Sequence, residues 1–203
     1  MHLKMPPLFL ADARGLDFLN SVATPVDVPV DWIRDGRGLI DWLQQAGLVP
    51  GAQLAEIAAR AMPGELDRVA DQARDLREWF RDFVKRHMGQ PLSADALEGL
   101  TPINRLLERD ETYHRIVAHA DHLALETARR WRSPESLLIP IGEAIARVVA
   151  GEDFTQVKAC QGENCTLLFA DHTRGHARRW CSMSVCGNRA KVTAHRSRQR
   201  GAM

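Results

Sequence analysis

Four cysteines are the residues in this chain whose type and spacing point most directly to chemistry. Cys160 and Cys165 form one C-x4-C pair and Cys181 and Cys186 a second, with fifteen residues between the pairs. Two short loops that each present two sulfurs toward one point can close a tetrahedral thiolate site, and the gap fits a zinc-ribbon-like spacing. Four thiolates fill the coordination sphere of Zn2+ and leave no open position, so the expected metal is structural rather than catalytic. A segment this short cannot bury a core of its own, and metal binding would supply much of its folding free energy.

The alternative is two disulfides, which persist in oxidising compartments. The opening stretch MHLKMPPLFLADARG has one early lysine and an apolar patch broken by prolines, without the h-region and cleavage site of a secretory signal. No apolar run approaches the ~20 residues of a membrane span. A cytoplasmic location is the expectation, and it favours zinc.

The spacer between the pairs adds detail. Thr166 to Ala170 is an apolar run suited to a strand, and Asp171 to Gly175 has turn chemistry. The expected order is a knuckle at the first pair, then a hairpin, then a helix opened by the second pair. Ser182 or Ser184 would cap that helix, which would run through Asn188 and Ala194 toward Arg198. This order is like a treble-clef finger. His172, His176 and His195 lie nearby but are expected not to be ligands, since the cysteines complete the set.

The run RRWCSMSVCGNRAK, with the upstream C-x4-C and LLFADHTRG, resembles the CGNR zinc-finger family, whose name matches Cys186-Gly187-Asn188-Arg189. The segment LDFLNS, Leu16 to Ser21, resembles the opening of the ABATE domain that usually precedes this finger. The resemblance implies a two-part bacterial regulator of transcription, induced by stress, with a four-cysteine finger at its C-terminus. It is strongest over roughly the last fifty residues of the chain.

The 203 residues suit one domain with a small appendage, and a hydrophobic content of 45% is that of a globular protein. The net charge of +1 hides an asymmetry. From Thr155 onward nine Lys/Arg face two Asp/Glu, or +7, leaving −6 for residues 1–154. A basic tail on an acidic body suggests a polyanion as partner, though the tail could instead dock on its own acidic domain. Arg174, Arg178, Arg179, Arg189, Lys191, Arg196, Arg198 and Arg200 flank or follow the metal and are the candidate DNA-binding residues. Arginine suits phosphate and guanine alike, so phosphate contact is the safer expectation. Trp180 could stack on a base, but beside a zinc ligand it fits better as part of the finger's core.

The remaining elements form the body that positions the finger. Prolines exclude a long helix in the first 35 residues. Leu16 to Leu19 could be a strand end or a short helix, and Asn20 and Ser21 are candidate ligand contacts, with capping of local backbone the plainer reading. Helices are expected over Gly38 to Ala46, Ala52 to Ala61 and Glu65 to Met88. On the last, alternating charges make a solvated face, from which Arg77, a further candidate ligand contact, could reach inward toward Asp17. Ser93 to Glu108 suggests a helix interrupted by Pro102. Tyr113 to His119 and Leu123 to Thr127 have period two and predict a β-hairpin, on which His114, His119 and His122 are expected to face solvent rather than a metal. Ser133-Pro134-Glu135 starts a last helix, with Pro140 kinking it or beginning it afresh.

The fold expected is therefore mainly α (α+β): a helical domain with a small hairpin over residues 1–153, then a treble-clef-like four-cysteine zinc finger with a basic helix over residues 154–203. No Gly-rich phosphate loop, GxSxG or HExxH is present, and an enzyme is not expected. DNA is the expected partner, with a small-molecule ligand or a homodimer contact as possible roles of the helical domain. The rival reading is a zinc-stabilised protein-interaction module that never meets DNA. Chelation is expected to unfold residues 160–200 and spare much of the helical domain.

Overall fold

A computed structural model describes residues 5–24 and 28–193. The architecture is a helical body followed by a four-cysteine finger, and a single hydrophobic core runs through both, from Ala11 to Cys186. At its centre is α1 (Arg14–Leu19), a helix of six residues of which Gly15, Leu16, Asp17, Phe18 and Leu19 are all buried. A strand pair follows, β1 (Val22–Ala23) with β2 (Val30–Asp31). The helices α2 (Gly36–Ala46), α3 (Gly51–Arg60) and α4 (Glu65–His87) come next.

Each of these helices has a visible local cause. Asp35 caps α2 by accepting from the Gly38 N–H at 2.7 Å, and Gly47 ends it in the left-handed conformation (φ 67°). Pro63 and Gly64 separate α3 from α4. On α4 the buried positions are Val69, Ala70, Ala73, Arg77, Phe80, Phe83 and Val84, the 3-and-4 spacing of a helix laid on a core. The charged face is less purely solvated than its alternation implies. Arg74 donates to the Ile33 and Arg34 carbonyls at 3.0 and 2.8 Å, and Arg81 to the Leu19 carbonyl at 2.6 Å.

A 3-10 segment, Ala94–Leu100, leads into α5 (Thr101–Leu107), with Pro102 in its first turn. The hairpin forms where period two predicts it, β3 (Thr112–Ala118) pairing antiparallel with β4 (Leu123–Arg129). Then α6 (Leu138–Gly151) follows a 3-10 turn at Pro134–Leu137. Pro140 lies in its first turn, where no hydrogen bond is lost. Helices α1 and α6 touch backbone to backbone. A Cβ on Gly15 would lie 2.6 Å from the Ala144 carbonyl oxygen and 2.8 Å from Val148 Cγ2, so only glycine allows this approach.

The finger holds β5 (Val157–Ala159) and β6 (Leu168–Ala170), antiparallel to each other. Their pairing places the hairpin across the first cysteine pair, not after it as expected. The knuckle of residues 160–165 is thus the hairpin's own loop. The second pair does open a helical turn: Ser182 Oγ accepts from the Val185 N–H at 3.0 Å, Met183–Gly187 form a π-turn, and helix continues over residues 188–193. The expected continuation toward Arg198 lies outside the described residues.

Candidate metal centre and its basic surroundings

The four cysteine sulfurs all lie within 4.8 Å of one another. Tetrahedral zinc with Zn–S bonds near 2.3 Å requires sulfurs about 3.8 Å apart, and Cys181 Sγ and Cys186 Sγ are 3.6 Å apart. That distance is far too long for a disulfide, and all four cysteines are free. Backbone groups already serve the sulfurs, since Gly162 N–H and Cys181 N–H point to Cys160 Sγ at 3.4 and 3.2 Å. Such donors stabilise thiolate charge. The knuckle is also closed to side chains, because a Cβ on Gly162 would meet Cys186 Sγ at 2.7 Å. The crowded thiols separate in acidity. Hydrogen bonding from Cys181 pulls the Cys165 thiol below its ordinary pKa, the same bond pushes Cys181 up, and burial pushes Cys186 up. One divalent ion relieves this competition at all four sulfurs.

Beside the sulfurs, Asp171 organises the turn. Its buried carboxylate accepts from Lys158 Nζ at 2.7 Å, from Thr173 N–H and Oγ1, and from the Arg178 N–H at 2.9 Å. Burial alone would raise its pKa, but these donors outweigh it and hold the carboxyl well below the usual range. His172 pairs with Glu152 at 2.7 Å, across the seam between finger and helical body. That hydrogen bond raises the imidazole's pKa against mild desolvation. Because the folded value lies above the ordinary 6.5, the contact contributes fully below pH ~6.5 and is lost as pH rises through the raised value. A proton NMR titration should find the His172 midpoint above that of an exposed histidine, and Glu152→Gln should return it. A midpoint unchanged by Glu152→Gln would sink the assignment.

The expected DNA-facing residues divide into groups. Arg174, Arg179 and Lys191 are exposed. Arg179 also reaches Gln161 Oε1 at 2.7 Å and lies over the Trp180 ring, while Trp180 packs partly buried against the core. Arg189 is half-buried and lines a cleft of about 300 Å3 with Gly162, Glu163 and Thr193. Arg196, Arg198 and Arg200, like His195, lie outside the described residues. Arg178 needs correction, because its side chain is spent inside the chain. It donates to Asp12 Oδ2 and the Leu10 carbonyl, each at 2.6 Å, to the Trp180 carbonyl at 3.1 Å and to the Cys181 carbonyl, and it lies 4.1 Å from the Phe169 ring centroid. With its donors so engaged, it clamps the N-terminal segment to the finger and has little left for phosphate.

The three candidate ligand contacts of the helical domain are likewise internal. Asn20 makes a two-way amide bridge with Leu168 of β6, its Nδ2 donating to the carbonyl at 2.8 Å and its Oδ1 accepting from the N–H at 3.0 Å. Arg77 forks onto Asp31 at 2.9 and 2.8 Å and donates to Ser21 Oγ at 3.0 Å. It does not meet Asp17, which accepts from Arg14 at 2.9 Å and the Ala11 N–H at 3.0 Å. A buried polar network satisfied within the chain has no donor directed at a ligand. On the hairpin, His114 lies 3.3 Å from Thr127 on one face, while the His119 and His122 rings stack together. They do not converge, and among the described residues the four cysteines are the cluster fitted to a metal.

A helical domain joined to a closed four-thiolate site defines a zinc-finger protein, and the ion is zinc. The chain belongs to the ABATE family, whose description is "Putative stress-induced transcription regulator" and which matches residues 12–152. Residues 156–199 match the CGNR zinc finger. No curated protein sequence matches the chain. No helix among the described residues is long and apolar enough to cross a membrane.

Proposed function

We propose that the chain is a non-enzymatic regulator that binds DNA through the cations of its zinc finger. The observation that carries this reading is the fate of the finger's charges. Arg178, Lys158 and His172 are consumed in holding the finger to itself and to the helical body. Arg174, Arg179 and Lys191 remain exposed on a finger whose segment carries +7 against −6 for the body. The bracing that the rival reading requires is present, but it is internal and leaves these cations for a partner. The family's description agrees with regulation of transcription. Zinc's part is structural, since it fixes the knuckle and the opening of the last helix. The chain's own cations would contact phosphate, and sequence readout would need further contacts.

The test is fluorescence anisotropy of the zinc-loaded chain on mixed duplex DNA across a salt titration. Affinity should fall linearly with log salt, with a slope near −0.9 per phosphate neutralised. Arg174→Ala, Arg179→Ala and Lys191→Ala should each flatten that slope by up to about one. Absence of binding at low salt would remove the DNA reading and leave a protein-interaction module.

A further inference from the structure

The β3–β4 hairpin is an arm that neither the zinc site nor the cations of the finger explain. Its base is held tightly. Arg129 donates to Asp110 Oδ1 at 2.6 Å and to Glu143 Oε1 at 2.7 Å, Arg130 lies over the Tyr113 ring, and Arg132 reaches Glu111 at 2.6 Å. Beyond that base the two strands pair with each other. Residues opposite one another on antiparallel strands share a face, so the register Ile116↔Leu125 and Ala118↔Leu123 gathers one apolar surface. Ile116, Leu123 and Leu125 are 71%, 72% and 70% exposed. An isolated two-stranded hairpin is at best marginal in water, and clustered exposed aliphatic groups mark a contact surface.

We propose that this face is where two copies of the chain meet. The distribution of charge selects that partner. Beyond the base, the face consists of His114, Ile116 and Ala118 opposite Thr127, Leu125 and Leu123. The arm's Arg115 and Glu126 point to the other face and pair there at 3.5 Å. A polyanion finds no lysine or arginine on this surface, and a basic peptide finds no carboxylate. A two-fold contact has one requirement, that the patch tolerate its own image. A surface of aliphatic groups bordered by His114 and Thr127, with no lysine, arginine or carboxylate, meets it. Each strand of seven residues is about 24 Å long, and two strands are about 10 Å wide. One such face is smaller than the ~800 Å2 per partner of a standard stable interface. The dimer is accordingly weak and concentration-dependent. It would place two fingers in one particle, but it does not depend on those fingers binding DNA.

Sedimentation velocity of the zinc-loaded full chain across the micromolar range tests this. The sedimentation coefficient should rise with concentration from monomer to dimer. Changing both Ile116→Glu and Leu125→Glu places like charges against each other in any two-fold arrangement, and should weaken association by about 100-fold or more. The Ile116→Lys, Leu125→Lys chain should behave the same alone, and an equimolar mixture of the two should recover a dimer. These side chains are exposed in the monomer, so zinc content and circular dichroism should not change. A chain that stays monomeric throughout, or a dimer indifferent to both double variants, would overturn the proposal.

Discussion

Removing zinc should unfold the finger and loosen the helical body with it. The sequence alone points to unfolding of residues 160–200 with much of the helical domain spared, but the contacts cross that line at several points. β6 is bonded to Asn20 through both amide atoms, the Ala170 N–H donates to the Ala11 carbonyl at 2.9 Å, and Arg178 clamps Leu10 and Asp12. Phe169, Leu167 and Cys181 lie in the same core as Phe18 and Leu19. A structural zinc site contributes on the order of 10 kcal/mol at neutral pH, comparable with the whole stability of an ordinary domain. Cys186→Ser or a strong chelator should therefore lower Tm by more than about 10 °C. Hydrogen exchange read by mass spectrometry should show lost protection in β5, β6 and α1, while α2 and α3 retain more of theirs. Protection lost in β5 and β6 alone, with α1 unaffected, would mean that finger and body fold independently. An unchanged melt would mean that the thiols do not hold a structural ion.

The metal centre was the most legible part because its information is local. C-x4-C twice within one short segment fixes the ligands without any knowledge of the body, and the Ser182 cap lies beside the ligand it positions. Long helices were legible for the same reason, since one stripe of apolar residues carries its own phase. The seam between finger and body was not. Asn20 and Leu168 are 148 positions apart, and Asp12 and Arg178 are 166 apart. Nothing in either neighbourhood names the other. The hairpin's place across the first knuckle is not legible either, because the apolar run at residues 166–170 fits a strand on either side of its turn, and only pairing with Val157–Ala159 decides. One signal did exist for Arg77. Ala73, Arg77, Phe80 and Val84 keep the spacing of α4's buried face, so the helical phase itself places that arginine inside.

From that burial follows the other large effect, on replacing Arg77 with methionine. The guanidinium is 4% exposed and Asp31 is 26% exposed. The variant would strand a carboxylate that now receives two parallel bonds, and would leave Ser21 without its donor. Breaking one side of a buried pair costs about 3–5 kcal/mol. The partial exposure of Asp31 places this site toward the lower end, a fall in Tm of roughly 6–12 °C for a chain of this size. The pH dependence separates the ion pair from simple loss of packing. Burial pushes the Asp31 carboxyl up, but Arg77 outweighs it and the folded pKa lies below the ordinary carboxylate value. The pair's contribution is therefore fully present above pH ~4 and disappears as pH falls through the depressed value. Wild type and Arg77→Met should differ by a constant amount near neutrality and converge in acid. Asp31→Leu combined with Arg77→Met should recover much of the loss, because no charge is then left unpaired. If Arg77 instead served a ligand, Arg77→Met would leave the melt of the ligand-free chain nearly unchanged. Its closed set of partners, Asp31, Ser21 and Glu78, argues that the loss will appear in stability.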